Sequence, residues 1–130
     1  MEFTLKTTLN ANPEQVYNTW LDSDGHSKMT GGAASISDMV GDEFSAWDGY
    51  IEGRNLELEP VRRILQSWRT SEFEDDEEDS QIEIILKEVE EGTELTLIHT
   101  NLSPSGEQYK KGWDDHYFQP MKEYFSQMKK

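Results

Sequence analysis

SGEQYKKGWDDHYFQPMKEYFSQMKK, residues Ser105–Lys130, closes the chain and decides how the rest of it is read. Tyr109, Trp113, Tyr117, Met121, Tyr124, Phe125 and Met128 recur mainly at spacings of three and four, with Lys, Asp and Glu mostly between them. Such spacing lines one face of an α-helix with apolar side chains and leaves the charges opposite. A stripe this broad and aromatic has to be covered, and the segments before it alternate as strands do. Ser103-Pro104-Ser105-Gly106 breaks the chain ahead of the helix, and Ser105 with Gln108 has the capping-box spacing. Within the helix, Gly112 is read as permitting a close approach to a sheet. Pro120 lacks an amide hydrogen and is expected to kink the helix near its middle.

The preceding residues supply the cover. Glu2–Leu9 alternates, with Phe3, Leu5, Thr7 and Leu9 on one face of a first strand. Asn12-Pro13-Glu14-Gln15 then starts a helix: Asn12 caps it, Pro13 suits its first position, and Glu14 complements its dipole. Val16, Tyr17, Trp20 and Leu21 form its buried face. Asp22-Ser23-Asp24-Gly25 reads as the turn that ends it. That tetrapeptide resembles the opening of a calcium loop, but His26 and Ser27 stand where a ligand and a glycine are needed. Ser27–Thr30 reads as a short helical turn and Ala33–Ser37 as a short strand.

Glu43–Trp47 and Tyr50–Leu58 flank Asp48-Gly49, a two-residue type I′ hairpin signal. Glu59-Pro60 makes the next turn, and Val61–Arg69 follows with Ile64, Gln66 and Trp68 on one face. Glu72–Asp79 holds seven acids, repels itself, and is expected to be a flexible hairpin loop that does not pack. Gln81–Val89 points Ile82, Ile84 and Leu86 inward. Glu91-Gly92 turns the chain into Thr93–Thr100, where Leu95, Leu97 and His99 share a face. The order is strand, helix, short helix, six strands, helix, with hairpin links: an α+β fold with an antiparallel sheet. To bury both stripes the sheet must curl around the helix, and the gap left between them is where small ligands bind.

The totals narrow the function. A chain of 130 residues reads as one domain, 1–130, able to build its own core. The formal net charge is −15, from 27 acidic and 12 basic residues, so no nucleic acid partner is expected. No apolar run is long enough for membrane insertion, and the N-terminus is unlike a secretory signal, which points to a cytoplasmic protein. There is no cysteine. His99 and His116 are the only acid–base candidates on ordered elements, and no ligand-spaced motif accompanies them. No catalytic or metal residue and no cofactor is therefore assigned, and the two read as a hydrogen-bonded histidine near the core and an exposed one. Arg54, Arg62, Arg63 and Arg69 are candidates to balance acids on neighbouring strands.

Gly41–Arg69, Thr93–Phe125 and the early Asn12–Trp20 helix, NPEQVYNTW, together resemble a known family. The specific pieces are Phe44, Asp48-Gly49, Gly53, Glu59-Pro60, Ile64, Trp68-Arg69, and Gly112-Trp113 leading into Tyr117-Phe118. They look like the activator of Hsp90 ATPase homologue 1-like family, related to the C-terminal half of that activator. The family lies within the START-like (SRPBCC) helix-grip superfamily. The resemblance implies a START/Bet v 1-like helix-grip fold, a curved antiparallel sheet wrapped around a long C-terminal α-helix. Fold alone does not choose a function, because the superfamily holds lipid binders, co-chaperone domains and some enzymes. The activator's other domain, with an Asn-rich segment and Trp-His-Trp, has no counterpart in these residues.

The leading expectation is a non-enzymatic START-like domain that holds a small hydrophobic ligand between the C-terminal helix and the sheet. Its expected lining is Trp20, Phe44, Trp47, Trp68, Leu97, His99, Trp113 and Tyr117, although aromatics at these spacings also serve as plain core. The alternative is a co-chaperone-like interaction module whose partner is an Hsp90-type chaperone. An enzyme on the same scaffold is a third reading, motivated only by His99.

Overall fold

Alternating burial along the strands builds an antiparallel sheet with one apolar face, seen in a computed structural model that describes residues 1–128. Met128 is described in its backbone only, so its place on the helical stripe, like Lys129 and Lys130, lies outside the described residues. The elements run β1 (Phe3–Leu9), α1 (Pro13–Trp20), α2 (Ser23–Thr30), β2 (Glu43–Ala46), β3 (Ile51–Glu59), β4 (Arg63–Thr70), β5 (Ser80–Val89) and β6 (Gly92–Thr100). A 3₁₀ turn, Pro104–Glu107, leads into the C-terminal helix. That helix comprises α3 (Gln108–Trp113), a π-helical turn (Asp114–Phe118) and α4 (Gln119–Met128).

The six strands are ordered β1-β6-β5-β4-β3-β2 and every pairing is antiparallel. The first strand lies beside the last, with Phe3 opposite His99 and Leu9 opposite Thr93. A register shift between Asn55 and Glu57 lets β3 bend. Ile64, Trp68, Ile82, Ile84, Leu95 and Leu97 on the inner face are buried with Trp113, Tyr117, Phe118, Met121 and Phe125 of the helix. This is the helix-grip arrangement, α+β, with the sheet curved around the helix. Among the described residues no helix is long and apolar enough to cross a membrane.

Local chemistry accounts for the departures from expectation. Asn12 forms a full capping box with Gln15: its side chain accepts from the Gln15 N–H at 2.8 Å, and Gln15 reaches back to the Asn12 N–H. Asp22-Ser23-Asp24-Gly25 is not the terminating turn it was read as. Asp22 accepts from the Gly25 N–H at 2.8 Å and so caps α2, which begins at Ser23 rather than Ser27. Ala33–Ser37 is no strand. It makes a single bridge, Ser35 to Ser45, and the hydroxyls of Ser23 and Ser27 take the Ile36 and Ala34 amides instead. Five strands, not six, therefore lie between the early helices and the C-terminal one.

The β2–β3 hairpin closes over four residues, Trp47–Tyr50, rather than two. Trp47, Asp48 and Gly49 all take positive φ, at 52°, 58° and 91°. Trp47 leaves the strand to lay its ring on Gly32, where a Cβ would come within 2.5 Å of a ring carbon. The box between Ser105 and Gln108 does not form. Pro104 starts a 3₁₀ turn there, and Ser105 bonds the Ser103 hydroxyl at 2.7 Å. The acidic run does pack in part. Phe73 is buried against Trp68 and Tyr109, and Arg69 binds the carbonyls of Glu74 and Glu77 and the Asp79 carboxylate. Arg54 pairs with Glu43, and Arg63 with Glu57, Glu59 and Glu83.

Just before Pro120, near which a kink is expected, the helix makes a π turn in which the Gln119 N–H bonds to the Asp114 carbonyl five residues back. Gly53 has the closest approach in the sheet. A Cβ there would lie 1.9 Å from the Ser67 carbonyl and 2.5 Å from the Phe44 ring. Gly53→Ala is therefore expected to cost about 2–3 kcal/mol by forcing β3 off β4, read as a lowered urea midpoint.

Candidate functional site

The C-terminal helix meets the sheet unevenly, and one cavity of about 410 Å³ opens on the β2–β3 side of the seam. Trp47 and Tyr50 of the hairpin loop and Ile51 of β3 form one wall. Trp68 of β4, Tyr109, Gly112 and Trp113 of α3, and His116 and Tyr117 of the π turn form the rest, with Gln108 at the edge. The ring of His116 meets that of Trp47 edge-on, 5.6 Å between centroids, across the two walls. Trp68 packs on Tyr109 at 5.0 Å and on Trp113 at 5.6 Å, and Trp113 on Tyr117 at 4.7 Å. The cleft is thus walled by touching aromatic rings.

Four of the eight expected lining residues are here: Trp47, Trp68, Trp113 and Tyr117. The other four lie behind the walls. Trp20 is buried beneath Trp113 and Tyr117 and Phe44 packs over Gly53, while Leu97 and His99 have no exposed surface. The sequence reading missed Tyr50, Ile51, Tyr109 and His116 as wall residues. Tyr109 was legible as the first member of the helical stripe, and Tyr50 as the neighbour of Asp48-Gly49. It also misread Gly112. A Cβ there meets nothing within 4 Å, so this glycine does not bring helix and sheet together; it leaves the cleft open.

Buried polar chains hold the rings in place, and their directions follow from the donors. The Trp113 indole N–H donates to His99 Nδ1 at 3.0 Å, so the His99 proton sits on Nε2 and is donated to Ser80 Oγ at 2.9 Å. Ser80 in turn donates to the Trp68 carbonyl at 2.7 Å. A second chain starts at Tyr117. Its hydroxyl donates to His26 Nε2 at 2.9 Å, and His26 Nδ1–H donates to the Trp20 carbonyl at 2.8 Å. A third runs from the Trp20 N–H through Gln66 to Asn55, which donates to the carbonyls of Ser37 and Met39. Trp47 lacks such a tie, its buried indole nitrogen having no partner among the described residues. The sequence reading named His26 only in rejecting a calcium loop, just past a turn, whereas α2 carries it inward.

Burial pushes the His26 pKa down to about 4, against a smaller opposing effect of its bond to the Trp20 carbonyl, and pushes that of His99 down to about 3. Burial likewise raises the Tyr117 phenol well above its ordinary value. With both ring nitrogens bonded and no exposed surface, His99 has no route to a substrate. Among the described residues, no cluster of three or more His, Asp or Glu is placed to hold a metal ion.

Two measurements check this geometry. As pH falls below the ordinary histidine value of 6.5, the unfolded chain takes up protons that the folded imidazoles refuse. Stability is then full above about pH 6.5 and declines below it by up to about 1.4 kcal/mol per pH unit for each histidine. The decline levels off beneath the folded values of about 4 and 3. Imidazole NMR should show neither ring titrating near 6.5; an ordinary midpoint for both would refute the buried chains. Separately, Gly112→Ala should raise stability by about 0.5–1 kcal/mol, since it adds helix propensity without a clash.

Comparison with known proteins places this geometry among relatives. Activator of 90 kDa heat shock protein ATPase homolog 1 from Homo sapiens is 27% identical over 127 residues, covering 95% of this chain and 37% of the relative. The chain thus spans well under half the length of that relative. Among solved structures, an HSP90 activator from Plasmodium falciparum superposes with a TM-score of 0.83 at 23% identity, covering 92% of this chain and 91% of the other. The Aha1 dimer from Colwellia psychrerythraea gives 0.81 at 17% identity, with 96% of each chain covered. At those identities the structures speak for the fold. The model of the activator of Hsp90 ATPase homolog 1-like protein family matches residues 10–126, and the chain belongs to that family.

Proposed function

We propose that this chain is a binding domain that takes a small apolar molecule into the cleft between the C-terminal helix and the β2–β3 side of the sheet. The observation that carries the reading is the cavity of about 410 Å³, a size in the ordinary range for small-molecule sites. Its walls are aromatic, and Gly112 keeps it clear at a position where any other residue would begin to fill it. Aromatic surface gains most from being covered by another apolar group.

The test is a screen of neutral apolar compounds, read by amide NMR shifts in the wild-type protein and in Gly112→Leu. Binding should perturb the Trp47–Tyr50 loop and α3, and should disappear in Gly112→Leu while the rest of the spectrum stays folded. Failure of every compound to perturb those amides, or equal binding by the variant, sinks the reading.

A second reading has its own support: an Hsp90-type chaperone as partner. It rests on membership of the activator family and on the 27% identity with the human activator. Because this chain spans 37% of that relative, the activator's activity is not carried over with the fold. Co-purification with an Hsp90-type chaperone, together with its ATPase turnover in the presence of this chain, decides the matter. No binding and unchanged turnover remove this reading.

A further inference from the structure

We propose that the ligand of this cleft carries a compact alkylated ammonium group, quaternary or tertiary, seated on the aromatic walls. The inference rests on the cleft being a ligand site and adds the charge and shape of what it takes. Cations are drawn to the negative faces of Trp and Tyr rings. What matters here is that most of the hydroxyls and N–H groups on these rings are already used, so that they offer mainly their faces. The Tyr50 hydroxyl is committed to Glu72, that of Tyr109 to Thr70 at 2.6 Å, that of Tyr117 to His26, and the Trp113 N–H to His99.

Among the described residues, no Lys, Arg, Asp or Glu lines the cleft. An anion would find no Lys or Arg in the wall, only the His116 ring, in a chain whose net charge is −15. A primary ammonium would enter with N–H groups that the walls leave unsatisfied, which is costly in a site with few free acceptors. Alkylation removes those donors, spreads the charge, and matches the apolar walls. The surrounding field favours the same sign. Glu72 accepts a charge-assisted hydrogen bond from the hydroxyl of the wall residue Tyr50.

A ring beside the cleft already faces a cation of the protein itself. The Arg69 guanidinium lies 5.4 Å from the centroid of Phe73, and Phe73 packs directly on Trp68 and Tyr109. Two wall rings of the cleft are therefore backed by a ring that already holds a cation.

The test compares choline with 3,3-dimethylbutan-1-ol, in which carbon replaces the charged nitrogen at the same shape, using tryptophan fluorescence and amide shifts. Choline should bind about tenfold more tightly than its neutral counterpart, the range expected of a partly desolvated cation–π site. Glu72→Gln, a surface change, should weaken choline by a few-fold and leave the alcohol unaffected, and Gly112→Leu should abolish both. Equal affinity for the pair overturns the inference and leaves the apolar-ligand reading standing. Binding of neither, while neutral compounds of the screen do bind, overturns it in the same way. Binding of neither with a blank screen removes both readings.

Discussion

The hydrogen bond from the Trp113 indole to His99 is the constraint on which the seam between helix and sheet depends. It joins α3 to β6 at a point with no exposed surface on the imidazole side, so a rotated Trp113 would strand a buried donor and a buried acceptor together. Each stranded group costs about 1–3 kcal/mol, which is large beside the net stability of a small domain. The bond also orients what lies beyond it. Because His99 must accept from Trp113, it must donate to Ser80, and Ser80 then holds the backbone of Trp68. Two walls of the cleft are thereby set by one choice of tautomer.

The opposite wall is built on different terms. Trp47 has a left-handed backbone, a buried N–H without a partner, and a ring located by its fit over Gly32 and its edge contact with His116. Positive φ at a bulky residue stores strain, typically about 1–3 kcal/mol. The helix side of the cleft is thus locked by directional side-chain bonds, whereas the Trp47 ring on the hairpin side is held by shape. Of these rings, that of Trp47 is the one that can yield to an entering molecule without breaking a side-chain hydrogen bond.

Where one face of a regular element is buried, the sequence was readable. The alternation of β4, β5 and β6 and the stripe from Tyr109 to Phe125 specified their own orientation, because a wrong register would expose every large side chain at once. Asn12 was readable because a cap acts within four residues. The errors lie where the decision is non-local. Asp22 serves as a cap only because α2 packs inward through His26 and Met29, and Ala33–Ser37 fails as a strand because two serines of α2 take its amides. Phe73 is buried inside a run of acids because Trp68 and Tyr109, distant in sequence, meet over it. The cleft was half legible: large aromatics announce a core, but which of them border a void depends on what does not fill it, and Gly112 has no side chain to announce anything.

The π turn at Asp114–Phe118 gives the spacing of the helical stripe a sharper meaning. Tyr109, Trp113, Tyr117, Met121 and Phe125 are each four residues apart. At 3.6 residues per turn, every such step winds the stripe roughly 40° around the axis, and four steps would carry its far end roughly 160° away from the sheet. A stretch bonded five residues back is wider and turns less per residue, so it takes back part of that drift. The π turn therefore acts as a phase correction, placed midway along the stripe. It allows a repeat of four, which belongs to no straight α-helix, to keep both ends of one helix pressed on a single sheet.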